Sequence, residues 1–318
     1  MGTQHVVIED FGSLKAESCL SFSKSPDFAP IVVGLDGTDI GSGAAAVALS
    51  LARAWEAPLR VVSALEGARD VWARGAERRR QARELQRRNR LTHFAQCADA
   101  EGVSCHIDID DGCAITRLVE CATSSRAELI VLGLRPSTTP APVFCDDTAL
   151  RLIRRTTIPV LAVTPDVREQ PRRAIAAIDF SPSSVAAARA ALKVLQPGGT
   201  LVLAHLPPDF TGAGSRAGEI AAGYSQANSA AFERLARELA PRCMSIATVR
   251  LNGTLVEELA ELADQTDADL IAVGTGRRDL TTLNGAPHPA TALLHLRRRT
   301  ILAGPAPQRA IERPIGGA

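Results

Sequence analysis

The sequence predicts an α/β fold: two tandem, doubly wound, parallel five-stranded sheets. Three observations predict it. The 318-residue chain repeats itself at a near-constant offset. Short apolar runs alternate with segments of helical period in both repeats. Equivalent runs end on the same residue types, an Asp in one case and a Gly in another.

The repeat is read from four landmarks. "IVVGLDGT" (31–38) returns as "AIAAIDFS" (174–181), an apolar run ending on an Asp with a hydroxyl residue two places on, so Asp36 and Asp179 stand 143 residues apart. "AELIVLG" (127–133) returns as "ADLIAVG" (268–274), Gly112 as Gly253 and Pro159 as Thr300, each at 141 residues. A fixed period of this length marks a tandem duplication.

The elements follow in chain order. In the first half, strands are expected near Ile31–Asp36, Leu59–Ala64, Ser104–Ile109, Leu129–Gly133 and Pro159–Thr164, all short apolar runs. Between them, Ser42–Trp55 is rich in Ala and Leu, and Ala73–Cys97 is dense in Arg, Gln, Glu and Leu, all good helix formers. The second half repeats the order, with strands near Ala174–Asp179, Thr200–Leu206, Ile246–Leu251, Leu270–Gly274 and Thr300–Ala303. Parallel neighbours need crossover connections, so this alternation places helices on both faces of a parallel sheet. Composition sets the boundaries: an N-terminal extension over 1–28 with at most local packing, a first domain over 29–165, a second over 172–304 and a tail over 305–318. "PDVREQPR" (165–172), polar with a Pro at one end and another near the other, reads as the linker.

Charge and composition exclude several functions. Lys and Arg number 36 and Asp and Glu 35, a net charge of +1, so no global field draws nucleic acid or anionic lipid. No window approaches the roughly 18 consecutive apolar residues of a membrane span, and Met1–Glu9 lacks the basic flank and apolar stretch of a secretory signal. The expectation is a cytoplasmic protein with neither nucleic acid nor membrane as partner. Seven cysteines without a C-x-x-C pair and six scattered histidines argue against a disulfide framework or a metal site.

In an open α/β sheet, ligands bind beyond the carboxyl ends of the strands where the strand order reverses. Asp36 and Asp179 end the first strand of each half, and Gly133 and Gly274 end the fourth, its neighbour. An Asp there can accept from an adenine amino group or a ribose hydroxyl, and a Gly admits phosphate close to the backbone. The same residues also suit capping of the following helix, and the sequence leaves both readings open.

The Asp-x-Ser/Thr openings (Asp36 with Thr38, Asp179 with Ser181), the glycines Gly112 and Gly253, the strands ending at Gly133 and Gly274, and the closing "TALRLIRRTTIPVLAV" resemble a tandem universal stress protein. The resemblance covers about 29–165 and 172–304. It implies Rossmann-like domains of strand order 3-2-1-4-5 that pair through their last strands as an internal pseudo-dimer, and it allows a further homodimer. It also implies ATP or another adenine nucleotide, with no metal beyond nucleotide-bound Mg.

The nucleotide-binding members carry G-x2-G-x9-G-S/T after the fourth strand. Here those positions hold Gly133, Pro136, Asp146 and Asp147 in the first half, and Gly274, Arg277, Pro287 and His288 in the second. Pro136 and Pro287 have no amide hydrogen to offer a phosphate nest. Asp146 and Asp147 set two negative charges where a triphosphate would lie. The second half is the better site, because Thr275, Gly276, Arg277, Arg278, Asn284, Gly285 and His288 supply donors or positive charge. The candidate binding residues are thus Asp179, Gly274, Thr275, Gly276, Arg277 and His288, with Asp36 and Gly133 as their first-half counterparts; no catalytic residue is assigned.

Four further features have ordinary readings. The eight arginines between Arg74 and Arg90 read as a solvated helix face. Asp110 and Asp111, before Gly112, read as turn chemistry. Cys145 has carboxylate neighbours that would raise its pKa. His205 and His288 read as structural, with pocket lining as the alternative. The resulting functional expectation is a non-enzymatic stress-response or signalling protein that acts by binding an unidentified protein partner, modulated by nucleotide in the second half. The alternatives are weak ATP or AMP hydrolysis in that crevice, or a nucleotide-free scaffold docking through Arg78, Arg79 and Arg80.

Overall fold

A computed structural model describes residues 8–9, 29–37, 42–65, 76–134, 148–208, 217–240, 245–276, 288–296 and 300–305. The first half runs β2 (Ile31–Gly34), α1 (Ser42–Trp55), β3 (Leu59–Leu65), α2 (Ala76–Ala100), β4 (Cys105–Asp111), α3 (Ala114–Ser124), β5 (Leu129–Gly133), α4 (Thr148–Ile153) and β6 (Val160–Val163). The second runs β7 (Arg173–Ala177), α5 (Pro182–Val194), β8 (Thr200–His205), α6 (Ala217–Leu239), β9 (Ser245–Arg250), α7 (Leu255–Thr266), β10 (Leu270–Gly274), α8 (Pro289–Leu296) and β11 (Thr300–Gly304). A two-residue strand, β1 (Ile8–Glu9), precedes them.

Each half has the parallel order 3-2-1-4-5, and the halves join through their last strands, both as the resemblance implies. Their last strands pair antiparallel, with Leu302 opposite Leu161 and Ile301 opposite Ala162, which makes one eleven-stranded sheet. The sequence explains which edges meet. Every residue of "VLAV" in β6 and "TILAG" in β11 is buried, so leaving either edge bare would expose an apolar ladder. The outer strand β4 reads "CHIDIDD" and carries its own charge.

Side chains alternate across the sheet, and both faces are covered. Ile31 and Val33 point into a cluster under α1, α2, α5 and α6, and Val32 into one under α3, α4, α7 and α8; each cluster is continuous across both halves. Near-continuous Val, Ile, Leu and Ala in the strands is the pattern of a parallel sheet buried on two sides.

Two expectations need correction. The extension is not limited to local packing: Ile8 and Glu9 pair antiparallel with Val249 and Thr248, covering the outer edge of β9. Asp110 and Asp111 belong to strand β4, not a turn, because they register against Ala64 and Leu65 of a longer β3. The turn falls to Gly112 alone, whose φ of 126° is matched by 128° at Gly253, a backbone region that only Gly adopts freely. The linker keeps its place between the halves and is also tied to the second, since Gln196 donates its side-chain amide to the Gln170 carbonyl and its backbone N–H to that of Pro171.

Candidate functional site

The second-half crevice is built where β7 ends. Beyond Ala177 the chain continues through Ile178, Asp179 and Phe180 to Ser181, which caps α5: its side-chain oxygen accepts the Ser184 N–H at 3.2 Å. Pro182, at the first helical position, has no N–H to satisfy. Asp179 braces this cap, its Oδ1 accepting the Ser181 N–H at 2.9 Å, while its own amide donates to Ser184 Oγ at 3.4 Å. Partial burial pushes the Asp179 pKa up, but hydrogen bonds from Ser181 and Ser184 outweigh it and hold the carboxyl below its ordinary value. Asp179 is thus an ionised carboxylate on an exposed residue that also organises the helix start.

Gly274 is flush against that helix start. A Cβ there would lie 2.5 Å from Ser184 N and 2.9 Å from Ser183 Oγ, so this position accepts no side chain. The next two residues diverge. Thr275 donates both its N–H and its hydroxyl to the Gly304 carbonyl, at 2.9 and 3.2 Å, and is buried; its donors serve the sheet and not a ligand. Gly276 is exposed, and the nearest atom to a Cβ built on it is 3.9 Å away.

His288 lies close enough to Asp179 for the carboxylate to act on its titration. Burial pushes its pKa down and Asp179 pushes it up, with burial prevailing. Its Nδ1 accepts the Ala290 N–H at 3.2 Å, so the neutral ring carries its proton on Nε2. The structure therefore groups an acceptor (Asp179), a donor (His288 Nε2–H) and an unobstructed backbone (Gly276) around the N-terminus of α5, a donor and acceptor set that fits a nucleoside phosphate. Arg277, Arg278, Asn284, Gly285 and Pro287 lie outside the described residues.

His205 is a core residue. It is 4% exposed and donates Nδ1–H to the Ile178 carbonyl at 2.6 Å, while its Nε2 accepts from Asn228 at 2.9 Å and Tyr224 at 3.0 Å. Burial, then Arg250, holds its pKa down against the Ile178 hydrogen bond and Asp179, which raise it. Aromatics are only 3% of this chain, yet Phe180, Phe232 and the single tyrosine, Tyr224, gather on this one ring. Phe180 and Phe232 pack edge to face with centroids 5.0 Å apart.

The first half answers with different residues. Asp36 is exposed and Gly133 ends β5, while Thr38, Pro136, Cys145, Asp146 and Asp147 lie outside the described residues. Here α2 reaches the strand ends: Arg87 donates to the Ala64 carbonyl and Arg90 to that of Gly37, both at 2.9 Å. Arg88 does follow the solvated-face reading, pairing with Glu84 one turn away. The sequence reading missed Arg87 and Arg90. A signal was present, since Arg87 aligns with Asn228 at the 141-residue spacing and Gly37 aligns with Phe180.

The sequence matches the Universal stress protein family over residues 27–164 and 171–284. The second match stops short of α8 and β11, which complete the domain in the structure. Among solved structures, a universal stress protein from Archaeoglobus fulgidus DSM 4304 is similar at 13% identity and a TM-score of 0.65, covering 88% of this chain and 99% of that one. The functionally unknown protein PA1789 from Pseudomonas aeruginosa PAO1 is similar at 16% identity and a TM-score of 0.59, covering 87% and 92%. The universal stress protein from Archaeoglobus fulgidus in complex with dAMP aligns with 43% of this chain and 98% of its own, at 20% identity and a TM-score of 0.33. No curated protein matches the sequence. Among the described residues, no helix is long and apolar enough to cross a membrane.

Proposed function

The chain belongs to the universal stress protein family, and from that membership we propose that it is a non-enzymatic, cytoplasmic stress-response or signalling protein that works by binding. An adenine nucleotide, with Mg carried on its phosphates, occupies the second-half crevice and modulates the choice of protein partner. A second copy of the chain is a further candidate partner.

One observation carries the nucleotide reading: just past the end of β7, the Asp179 carboxylate accepts the Ser181 N–H of the α5 cap and lies within electrostatic reach of His288. Asp179 would hold the nucleoside. His288 and the open backbone at Gly276 would face its phosphates. A binding role is favoured over turnover because the nearby hydroxyls are committed to structure. Ser181 Oγ accepts the Ser184 N–H and contacts Ser183 Oγ at 3.0 Å, and Ser184 Oγ donates to the Ser181 carbonyl.

Thermal unfolding with and without Mg-ATP, AMP and cyclic AMP tests the reading. At about 100 times the dissociation constant, a ligand stabilises by roughly 2.7 kcal/mol, raising Tm by about 5 to 10 °C in a domain of this size. That shift should vanish in Asp179→Ala and persist in Asp36→Ala. A wild-type chain whose Tm no adenine nucleotide moves would reject the proposal.

A further inference from the structure

We infer that Arg87 and Arg90 latch the first-half crevice shut, so that the intact chain takes one nucleotide, in its second half, and carries a latent nucleoside site in its first. The inference rests on the reading that these crevices take adenine nucleotides.

Two acceptors at the strand ends are occupied by the chain itself. Arg87 Nη1 donates to the Ala64 carbonyl, near the end of β3, and Arg90 Nη1 to the Gly37 carbonyl, beside Asp36. The helix is pressed onto the turn: a Cβ added to Gly37 would lie 2.8 Å from Arg87 Cγ and 3.1 Å from its Cα. Among the described residues, the second half has no such bridge. Asn228 and Ala231 stand at the equivalent helix positions, and Asn228 is turned onto His205 instead.

A third group shows what the latch costs. Ser63, next to Ala64, is 0% exposed and its hydroxyl has no hydrogen-bond partner. By register it is the counterpart of His205, since Ser63 faces Ile109 as His205 faces Arg250. His205 has three partners where Ser63 has none. A buried polar group left without a partner calls for an explanation, and a site closed by its own chain supplies one. With the arginines released, two carbonyls, a hydroxyl and the Asp36 carboxylate would line the strand ends, an acceptor-rich set suited to the amino group of adenine and the hydroxyls of ribose.

The test is calorimetric titration with AMP, which carries the adenine and ribose groups that the acceptors suit, on a full-length chain carrying Asp179→Ala to silence the second half. Adding Arg87→Ala with Arg90→Ala should tighten AMP binding about tenfold or more, and adding Asp36→Ala should abolish the gain. Should the alanine pair fail to fold, Arg87→Met with Arg90→Met carries the same test, because methionine keeps an apolar stem but has no N–H to donate. No gain in a folded arginine variant, or a gain that survives Asp36→Ala, overturns the inference. A wild-type chain that binds no nucleotide would defeat the second-half reading and with it the count of one nucleotide per chain, whereas the first-half latch stands or falls on these variants.

Discussion

Gly37 and Phe180 occupy the same turn in the two halves, 143 residues apart in sequence, and both adopt left-handed backbone, with φ of 72° and 61°. A bulky residue rarely accepts that conformation, so Phe180 is held there by its surroundings. The volume beside the turn is filled in each case by a different element. In the second half the Phe180 ring packs on His205 and Phe232, whereas in the first the turn has no side chain and Arg87 lies directly on it.

Substitutions at this turn separate backbone strain from packing. Phe180→Ala keeps the unfavourable φ and loses the ring, and should cost about 2 to 3 kcal/mol, less than a fully buried Phe. Phe180→Gly loses the same ring but relieves the left-handed penalty, so it should be less destabilising than Phe180→Ala by roughly 1 kcal/mol. Gly37→Ala should cost about 2 kcal/mol, because it adds strain and a clash with Arg87. Urea unfolding midpoints of the three variants check the ordering.

Ser63 and His205 should respond in opposite directions to truncation. Ser63→Ala removes a hydroxyl that has no partner and is expected to be neutral or stabilising by up to about 1 kcal/mol. His205→Ala strands the Asn228 amide and the Ile178 carbonyl and opens the ring cluster, and should cost about 3 kcal/mol. Calorimetric unfolding of both variants at pH 7.5 decides the point.

Stability should fall as the medium is acidified from neutrality towards pH 5. His205 and His288 both have folded pKa values below the ordinary 6.5, with burial the main cause. Between 6.5 and the lower folded values the unfolded chain binds more protons, so unfolding is favoured as pH drops; above 6.5 the contribution is fully present. Asp179 has the same sign but acts only below its ordinary 3.8. Tm measured from pH 7.5 to 5 should decline, with a shallower slope in His205→Gln.

Cysteine reactivity should be ordered by environment. Cys113 stands at the N-terminal boundary of α3, where the Thr116 amide is the main cause of a lowered pKa, against a smaller opposing effect of burial. Cys105 is pushed up to about 11 by burial and by Asp99, and Cys121 is raised by burial. Since the thiolate is the nucleophile, iodoacetamide at pH 7.5 should label Cys113 at least about tenfold faster than Cys105, read by peptide mass spectrometry. Equal rates at the two positions would contradict this ordering.

The strands, helices and crevice were legible wherever the signal is local or repeated. The limits of α1, β5 and β10 follow directly from the sequence, because each is a run of one period closed by Gly or Trp. Thr275 was misread as a ligand donor because its motif position says nothing of where its hydroxyl turns, and Gly304, which takes both its donors, is 29 residues away. Asp110 and Asp111 were read as a turn on residue type alone, although pairing with β3 makes them strand.

What the sequence by itself determined is the duplicated α/β plan, together with the strand order that the family resemblance implies. These rest on hydrophobic period and on Gly and Asp at fixed offsets, which are properties of short segments. Only the tertiary structure decided the antiparallel register in which the last strands meet, that β1 covers the edge of β9, and that the equivalent turn is packed by Phe180 in one half and by Arg87 in the other. Those outcomes depend on which distant side chain reaches a given backbone group first, and that competition among long-range contacts leaves no local period to read.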